Sequence, residues 1–151
     1  PGQSLDSWVE DWFKEIAYAM ILFRKDGYPC IFAGDYYGLI GEVKTEAKYD
    51  LINNMLKVRK NYNYGDQDNY FDDPSVIGWV RRGDEDHKPL AVLISIKDMA
   101  EKQMFVGEDE AGATYVDLSG KNDDITIDEN GNGVFTVGPG AVTYWVNKES
   151  L

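Results

Sequence analysis

The spacing of apolar residues changes character near residues 62–66, and this change limits the chain to a helical first part and an all-β second part. From 7 to 26, apolar side chains fall at 8, 9, 12, 13, 16, 17, 19, 20, 22 and 23, the three- and four-residue recurrence of a helix with a broad inner face. Ser7-Trp8-Val9-Glu10 has the pattern of a capping box, and Arg24 and Lys25 oppose the negative end of the helix dipole before Gly27. Residues 28–33, Tyr-Pro-Cys-Ile-Phe-Ala between two glycines, read as a strand buried on both faces. A second helix is predicted over 45–60, with Thr45 and Glu46 as start signals and Tyr49, Ile52, Met55, Leu56 and Val58 on its inner side. A buried parallel strand cannot satisfy its own edges, so this half is expected to need strands from further chain.

Beyond Tyr64-Gly65 the pattern becomes short alternating runs separated by turn residues, at 67–71, 76–82, 90–95, 103–106, 114–118, 125–127, 134–137 and 142–146. Eight strands at this spacing predict an antiparallel sandwich, and the last 86 or so residues suffice for a small β domain with its own core.

Charge narrows the function. The 151 residues carry 27 acidic and 15 basic side chains, a net charge of −12. Such a chain repels a phosphate backbone, and no basic block, Arg81-Arg82 included, is longer than two residues, which argues against nucleic acid as a partner. The longest apolar run, 16–23, is too short to span a membrane. The single cysteine, Cys30, permits no internal disulfide, which fits a cytoplasmic location. A chain that opens on Pro1 rather than Met is expected to be a piece of something longer.

Several apparent motifs fail on chemistry. Asp128-Glu129-Asn130-Gly131-Asn132-Gly133 matches the first half of a calcium loop, but the twelfth position, which must supply a two-oxygen carboxylate, is Pro139; the segment reads instead as a hairpin turn. His87, the sole histidine, lies in a polar stretch and reads as a solvated loop residue rather than a zinc ligand or triad member. Cys30 sits among apolar neighbours that favour a packed core thiol. The segment Gly131-Asn132-Gly133-Val134 lacks the third glycine of a dinucleotide loop.

Carboxylate pairs such as Asp66 with Asp68 and Asp123 with Asp124 are numerous enough to arise by chance. A more informative segment is Gly34-Asp35-Tyr36-Tyr37-Gly38, at the C-terminal end of the predicted buried strand, where barrel folds place their active-site loops. Tyr36 and Tyr37 could stack on sugar rings while Asp35 accepts hydroxyl hydrogen bonds. The alternative is structural, with the tyrosines packing and Asp35 capping a turn.

Taken together, Pro1-Gly2-Gln3-Ser4-Leu5, Trp12-Phe13-Lys14, Gly27-Tyr28-Pro29, Gly34-Asp35-Tyr36-Tyr37-Gly38, Asp68-x-Tyr70-Phe71-Asp72, Ile77-Gly78-Trp79 and Val142-Thr143-Tyr144-Trp145-Val146 resemble, in order, the C-terminal part of bacterial α-amylases of the glycoside hydrolase class. The resemblance implies an α+β chain: the last helix-strand-helix part of a (β/α)8 barrel over 1–63, then an antiparallel Greek-key β-sandwich over 64–151. It implies hydrolysis of internal α-1,4-glucosidic bonds by the parent. The three essential acids of that family come from barrel strands four, five and seven, so no residue here inherits a catalytic role, and Asp35, Tyr36 and Tyr37 are the candidate substrate contacts.

Partners implied are the remainder of the barrel and, in the parent, an α-glucan. The resemblance assigns no cofactor to this segment, although the parent family includes calcium binders. Two departures stand out. Ala33 replaces a common Tyr, and the positions matching a metal bridge in some relatives hold Ser75 and Ile96, neither a good calcium ligand, so no metal is expected there. A second reading is a non-catalytic glucan-binding module using Trp79, Trp145 or Tyr36-Tyr37 as platforms, although both tryptophans lie in alternating strands and read better as core. A third is an assembly role with self-association of exposed edges.

Overall fold

A computed structural model describes residues 9–41 and 44–151. Ser7 of the predicted capping box lies outside these. The chain enters through a single 3-10 turn, Asp11–Phe13, and continues as α1, Lys14–Phe23. The helix is shorter than its apolar periodicity suggested because side chains from elsewhere take its final carbonyls. The Leu22 carbonyl accepts from Arg59 and, at 3.0 Å, from Asn63, while the Phe23 carbonyl accepts from the Trp79 indole at 3.1 Å. With those acceptors filled, the backbone turns extended at Arg24.

The predicted strand at 28–33 is a correction. Residues 28–32 adopt no regular structure, and Ala33–Tyr37 forms one helical turn, α2, whose Asp35 and Tyr36 amides both donate to the Phe32 carbonyl. A parallel strand exists only beside neighbours that complete its ladder, and among the described residues none pairs with this segment. Cys30, expected in the core, is therefore exposed.

The second helix, α3, spans Tyr49–Tyr62. Residues ahead of it are held otherwise, by reciprocal Leu39–Thr45 backbone bonds and by the Lys48 amide on the Asp35 carbonyl at 2.7 Å. Ile52, Met55 and Val58 form its buried stripe. Leu56 and Tyr49, assigned to the inner side from sequence, lie on the neighbouring flank and are exposed.

All eight predicted strands are present: β1 Gln67–Asp73, β2 Val76–Arg81, β3 Leu90–Ser95, β4 Ala100–Phe105, β5 Thr114–Asp117, β6 Ile125–Thr126, β7 Asn132–Val137 and β8 Ala141–Asn147. Six form an antiparallel sheet in the order β1-β2-β3-β8-β5-β6, and β4 pairs with β7 in a second sheet. The last strand returns to lie between β3 and β5, the long return of a Greek key.

The larger sheet is covered on both faces, which explains why β3 reads as an unbroken apolar run rather than an alternation. Leu90, Val92 and Ile94, with Val142, Tyr144 and Val146 of β8, face α1 and α3. Ala91, Leu93 and Trp145 face the β4–β7 pair through Met104, Phe135 and Val137. Gly78 marks the closest approach of the layers, since a Cβ there would stand 2.6 Å from the Met104 sulfur. Two buried polar side chains between the layers satisfy each other: Thr143 Oγ1 donates to the Thr136 carbonyl at 3.0 Å and accepts the Trp145 indole N–H at 3.0 Å.

Candidate functional site

The candidate residues Asp35, Tyr36 and Tyr37 occupy one turn but meet different surroundings. Asp35 is only 8% exposed, beneath the N-terminal part of α1. One carboxylate oxygen accepts from Lys14 Nζ at 2.6 Å and the other from the Tyr18 hydroxyl at 2.7 Å. Lys14 and Tyr18 are four residues apart on one helix face, so α1 presents both donors together. Desolvation, reinforced by the Asp35 hydrogen bond and charge, pushes the Tyr18 phenol up to about 12, which keeps it a donor.

The network extends outward through Asp11, which Lys48 Nζ reaches at 3.0 Å. Tyr36 is wedged edge-on between Tyr37 and Tyr49, both at 4.8 Å between ring centroids, and its hydroxyl donates to Asn53 Oδ1 at 3.0 Å. Tyr37 is 76% exposed and presents an open ring. Gly38 turns the chain back at φ 81°, and a Cβ there would lie 3.1 Å from the Thr45 carbonyl.

Chemically, then, Asp35 is a paired anion that locks the turn, Tyr36 is an aromatic spacer, and Tyr37 is the member with a free face for a ligand. Lys14, Tyr18, Lys48 and Asn53 were not singled out from sequence. The only local trace of them is the four-residue spacing of Lys14 and Tyr18.

The other candidates resolve by contact. Asp128 Oδ1 accepts the Asn130 amide at 2.9 Å and the Asn132 amide at 2.8 Å, and Gly131 takes φ 81°, a side-chain-tied turn. It is not a hairpin, because β6 and β7 belong to different sheets. His87 sits in the β2–β3 loop, half-buried by face-to-face stacking on Tyr64 at 3.6 Å, with Nδ1 2.6 Å from Asp84 Oδ1. At Ser75 and Ile96 the Ile96 amide donates to the Ser75 carbonyl, and the Ser75 amide to Asp73 Oδ1 at 2.7 Å. Trp79 and Trp145 are fully buried and cannot serve as ligand platforms.

No protein-family model matches the chain. An alpha-amylase of Geobacillus stearothermophilus is 42% identical over 153 residues, which cover 99% of this chain and 28% of that protein. A glucan 1,4-alpha-maltohexaosidase of Bacillus sp. (strain 707) is 42% identical over 98% of this chain and 29% of its own length. The cytoplasmic alpha-amylase of Escherichia coli (strain K12) is 32% identical over the whole of this chain and 32% of its own length.

The chain matches the C-terminal part of bacterial alpha-amylases.

It spans less than a third of the length of these curated relatives. Solved alpha-amylases share its fold. One from Malbranchea cinnamomea superposes with a TM-score of 0.54 at 14% identity, over 68% of this chain and 23% of the other. One from Anoxybacillus gives 0.51 at 14% identity, over 67% and 23%. No helix among the described residues is long and apolar enough to cross a membrane.

Proposed function

We propose that this chain is the C-terminal portion of an alpha-amylase-type retaining glycoside hydrolase that cleaves internal α-1,4-glucosidic bonds of starch- or glycogen-like glucans. The observation that carries the reading is 42% identity sustained over 99% of the chain against less than a third of an alpha-amylase. On this reading residues 1–63 close the catalytic barrel and residues 64–151 are the sandwich that follows it. The parent protonates the glycosidic oxygen and forms a covalent glycosyl intermediate with acids outside this segment. This segment contributes the rim loop, with Tyr37 as the substrate-facing ring and Asp35 as the residue that positions it. Any calcium is held by the parent's other residues. A cytoplasmic location belongs to the same reading, supported by the name of the Escherichia coli relative.

The remainder of the barrel is the partner this reading requires. Tyr28 and Phe32 are exposed, and Met20, Ile21, Pro29 and Cys30 line a groove on the outer side of α1. These are the residues that barrel strands would cover, and their exposure also supports the second reading, an assembly module that self-associates through the same face. The tests are an assay of the chain on soluble starch and light scattering across a concentration series. The proposal expects no turnover above buffer. Turnover comparable to an intact amylase would overturn it, and a concentration-dependent dimer would favour the assembly role.

A further inference from the structure

Three glycines in this chain directly follow an aspartate or asparagine: Gly27 after Asp26, Gly131 after Asn130 and Gly133 after Asn132. At such a pair the glycine amide nitrogen can attack the preceding side-chain carbonyl carbon and close a succinimide ring, since no Cβ on the glycine obstructs the approach. An asparagine expels ammonia in that step and an aspartic acid expels water. Water then opens the ring, and opening at the main-chain carbonyl leaves an isoaspartyl linkage that runs through the former side chain. In an unstructured peptide asparagine reacts faster than aspartate, so the sequence ranks 130 and 132 ahead of 26.

The structure reverses that order. Ring closure needs the glycine nitrogen to swing over the preceding side chain, and at both asparagines the backbone is held. The Gly131 amide donates to the Asp128 carbonyl at 3.1 Å, and its own carbonyl accepts from the Val106 amide at 2.8 Å. A Cβ on Gly131 would stand 2.2 Å from the Gly107 carbonyl oxygen, which leaves no room for the chain to turn. Asn132 donates its amide to Asp128 Oδ1 at 2.8 Å and accepts the Asp128 amide at 2.8 Å. Gly133 is buried in β7, paired with Met104 of β4.

Asp26 and Gly27 lie in the bend between α1 and the irregular segment 28–32, and both are exposed. Gly27 takes φ 106°, and a Cβ there would meet nothing within 4 Å. The bend is anchored one residue earlier, where the Lys25 amide donates to Gln67 Oε1 at 2.8 Å and Lys25 Nζ reaches Asp66 Oδ1 at 2.5 Å. Among the described residues neither the Asp26 carboxylate nor the Gly27 amide takes part in a hydrogen bond. The chain is thus fixed to β1 up to Lys25, and the next peptide is open to rotation and to water.

We propose that Asp26-Gly27 is a spontaneous modification site, converted in the folded chain to isoaspartate through a succinimide. A bond forms between the Gly27 nitrogen and Asp26 Cγ, the carboxyl hydroxyl leaves with the amide proton as water, and one water returns on ring opening. Mass and the number of carboxylates are unchanged, but the main chain gains a carbon between α1 and the segment 28–32. The α-carboxylate of residue 26 becomes its side chain, the group that an isoaspartyl-directed carboxyl methyltransferase takes as substrate. None of this depends on the amylase reading.

The test is incubation of the whole folded chain in warm, mildly acidic buffer. Digestion after arginine then releases residues 25–59, and electron-transfer fragmentation distinguishes aspartate from isoaspartate at each position. Isoaspartate is expected to become the majority form at 26 while 130 and 132 stay asparagine. In urea the order should return to that of the sequence, with 130 and 132 reacting first. Asp26→Glu, which would have to close a larger ring, should lose most of the isoaspartate counted by enzymatic carboxyl methylation. Asp26→Asn should reach the same product faster, with release of ammonia. Isoaspartate appearing first at 130 or 132 in the folded chain, its absence at 26, or a methylation count undiminished in Asp26→Glu would each overturn the proposal.

Discussion

The indole nitrogen of Trp79, in the middle of β2, donates to the main-chain carbonyl of Phe23 at the last turn of α1, 3.1 Å away and out of reach of solvent. Arg59 and Asn63 close on the preceding carbonyl from α3. Three side chains thus finish one helix. Asn63 Oδ1 in turn accepts from Arg81 at 2.7 Å, so the same cluster runs on into the sheet. Helices and the larger sheet share one core and one polar junction, and the Asp35 turn is tied to α1 through Lys14 and Tyr18.

Trp79→Phe should therefore loosen the junction. It removes a buried hydrogen bond and part of a fully buried ring, a combined loss of about 2–3 kcal/mol. For a chain of this size that corresponds to a fall in Tm of roughly 4–10 °C. Calorimetry or urea unfolding reads it, with Trp12→Phe, at an exposed position, as the near-neutral control.

Asp35→Ala should leave Tyr18 without its acceptor and Lys14 with only the more distant Asp11 carboxylate, 3.9 Å away. Removing one partner from a buried pair costs about 3 kcal/mol, much of it the stranded charge. Replacing both ends, Asp35→Ala with Lys14→Met, should cost less than the sum of the two single changes. A double-mutant cycle by urea denaturation measures this coupling, and strict additivity would contradict the pairing.

Alkaline pH should destabilise the fold through its buried phenols. Burial raises Tyr18 to about 12 with help from Asp35, and raises Tyr144 to about 12; burial with the nearby Glu110 raises Tyr115 further. A group whose folded pKa lies above its unfolded value of about 10 contributes stability that is complete below pH 10 and is lost as pH rises toward 12. Unfolding free energy measured between pH 9 and 12 should fall steadily, and Tyr18→Phe should flatten part of that slope.

Cys30 should behave as a surface thiol. A disulfide reagent such as Ellman's is expected to titrate one equivalent from the native chain within minutes and without loss of secondary structure. Reaction only after unfolding would place Cys30 back in a core. Slower labelling on addition of a barrel-supplying partner would indicate that this face is covered on assembly.

The positions of the eight strands are legible in the sequence because each short run ends near residues that favour turns, such as Asp84 and Gly120, and these signals act over a few residues. Their division into sheets is not legible. Nothing local in 100–105 or 132–137 says that these two runs leave the main sheet and cover its face; that follows from Met104 and Phe135 packing on Leu93 and Trp145.

The segment 28–33 shows the reverse error. Its residues are those of a buried strand, but burial is conferred by neighbours, and without a paired strand Tyr28, Cys30, Phe32 and Ala33 lie open while Pro29 and Ile31 are only half-buried. Asp35 gives a third lesson. That an acid followed by two tyrosines forms a turn after an apolar segment was readable from the chain. That the acid is occupied by donors 21 and 17 residues away, leaving only Tyr37 free, is not. Local spacing decides which residues share a face of an element, because backbone geometry repeats over a few residues. Which face meets which, and so which polar groups are spent on structure and which remain for a ligand, is decided only when segments distant in the chain pack together.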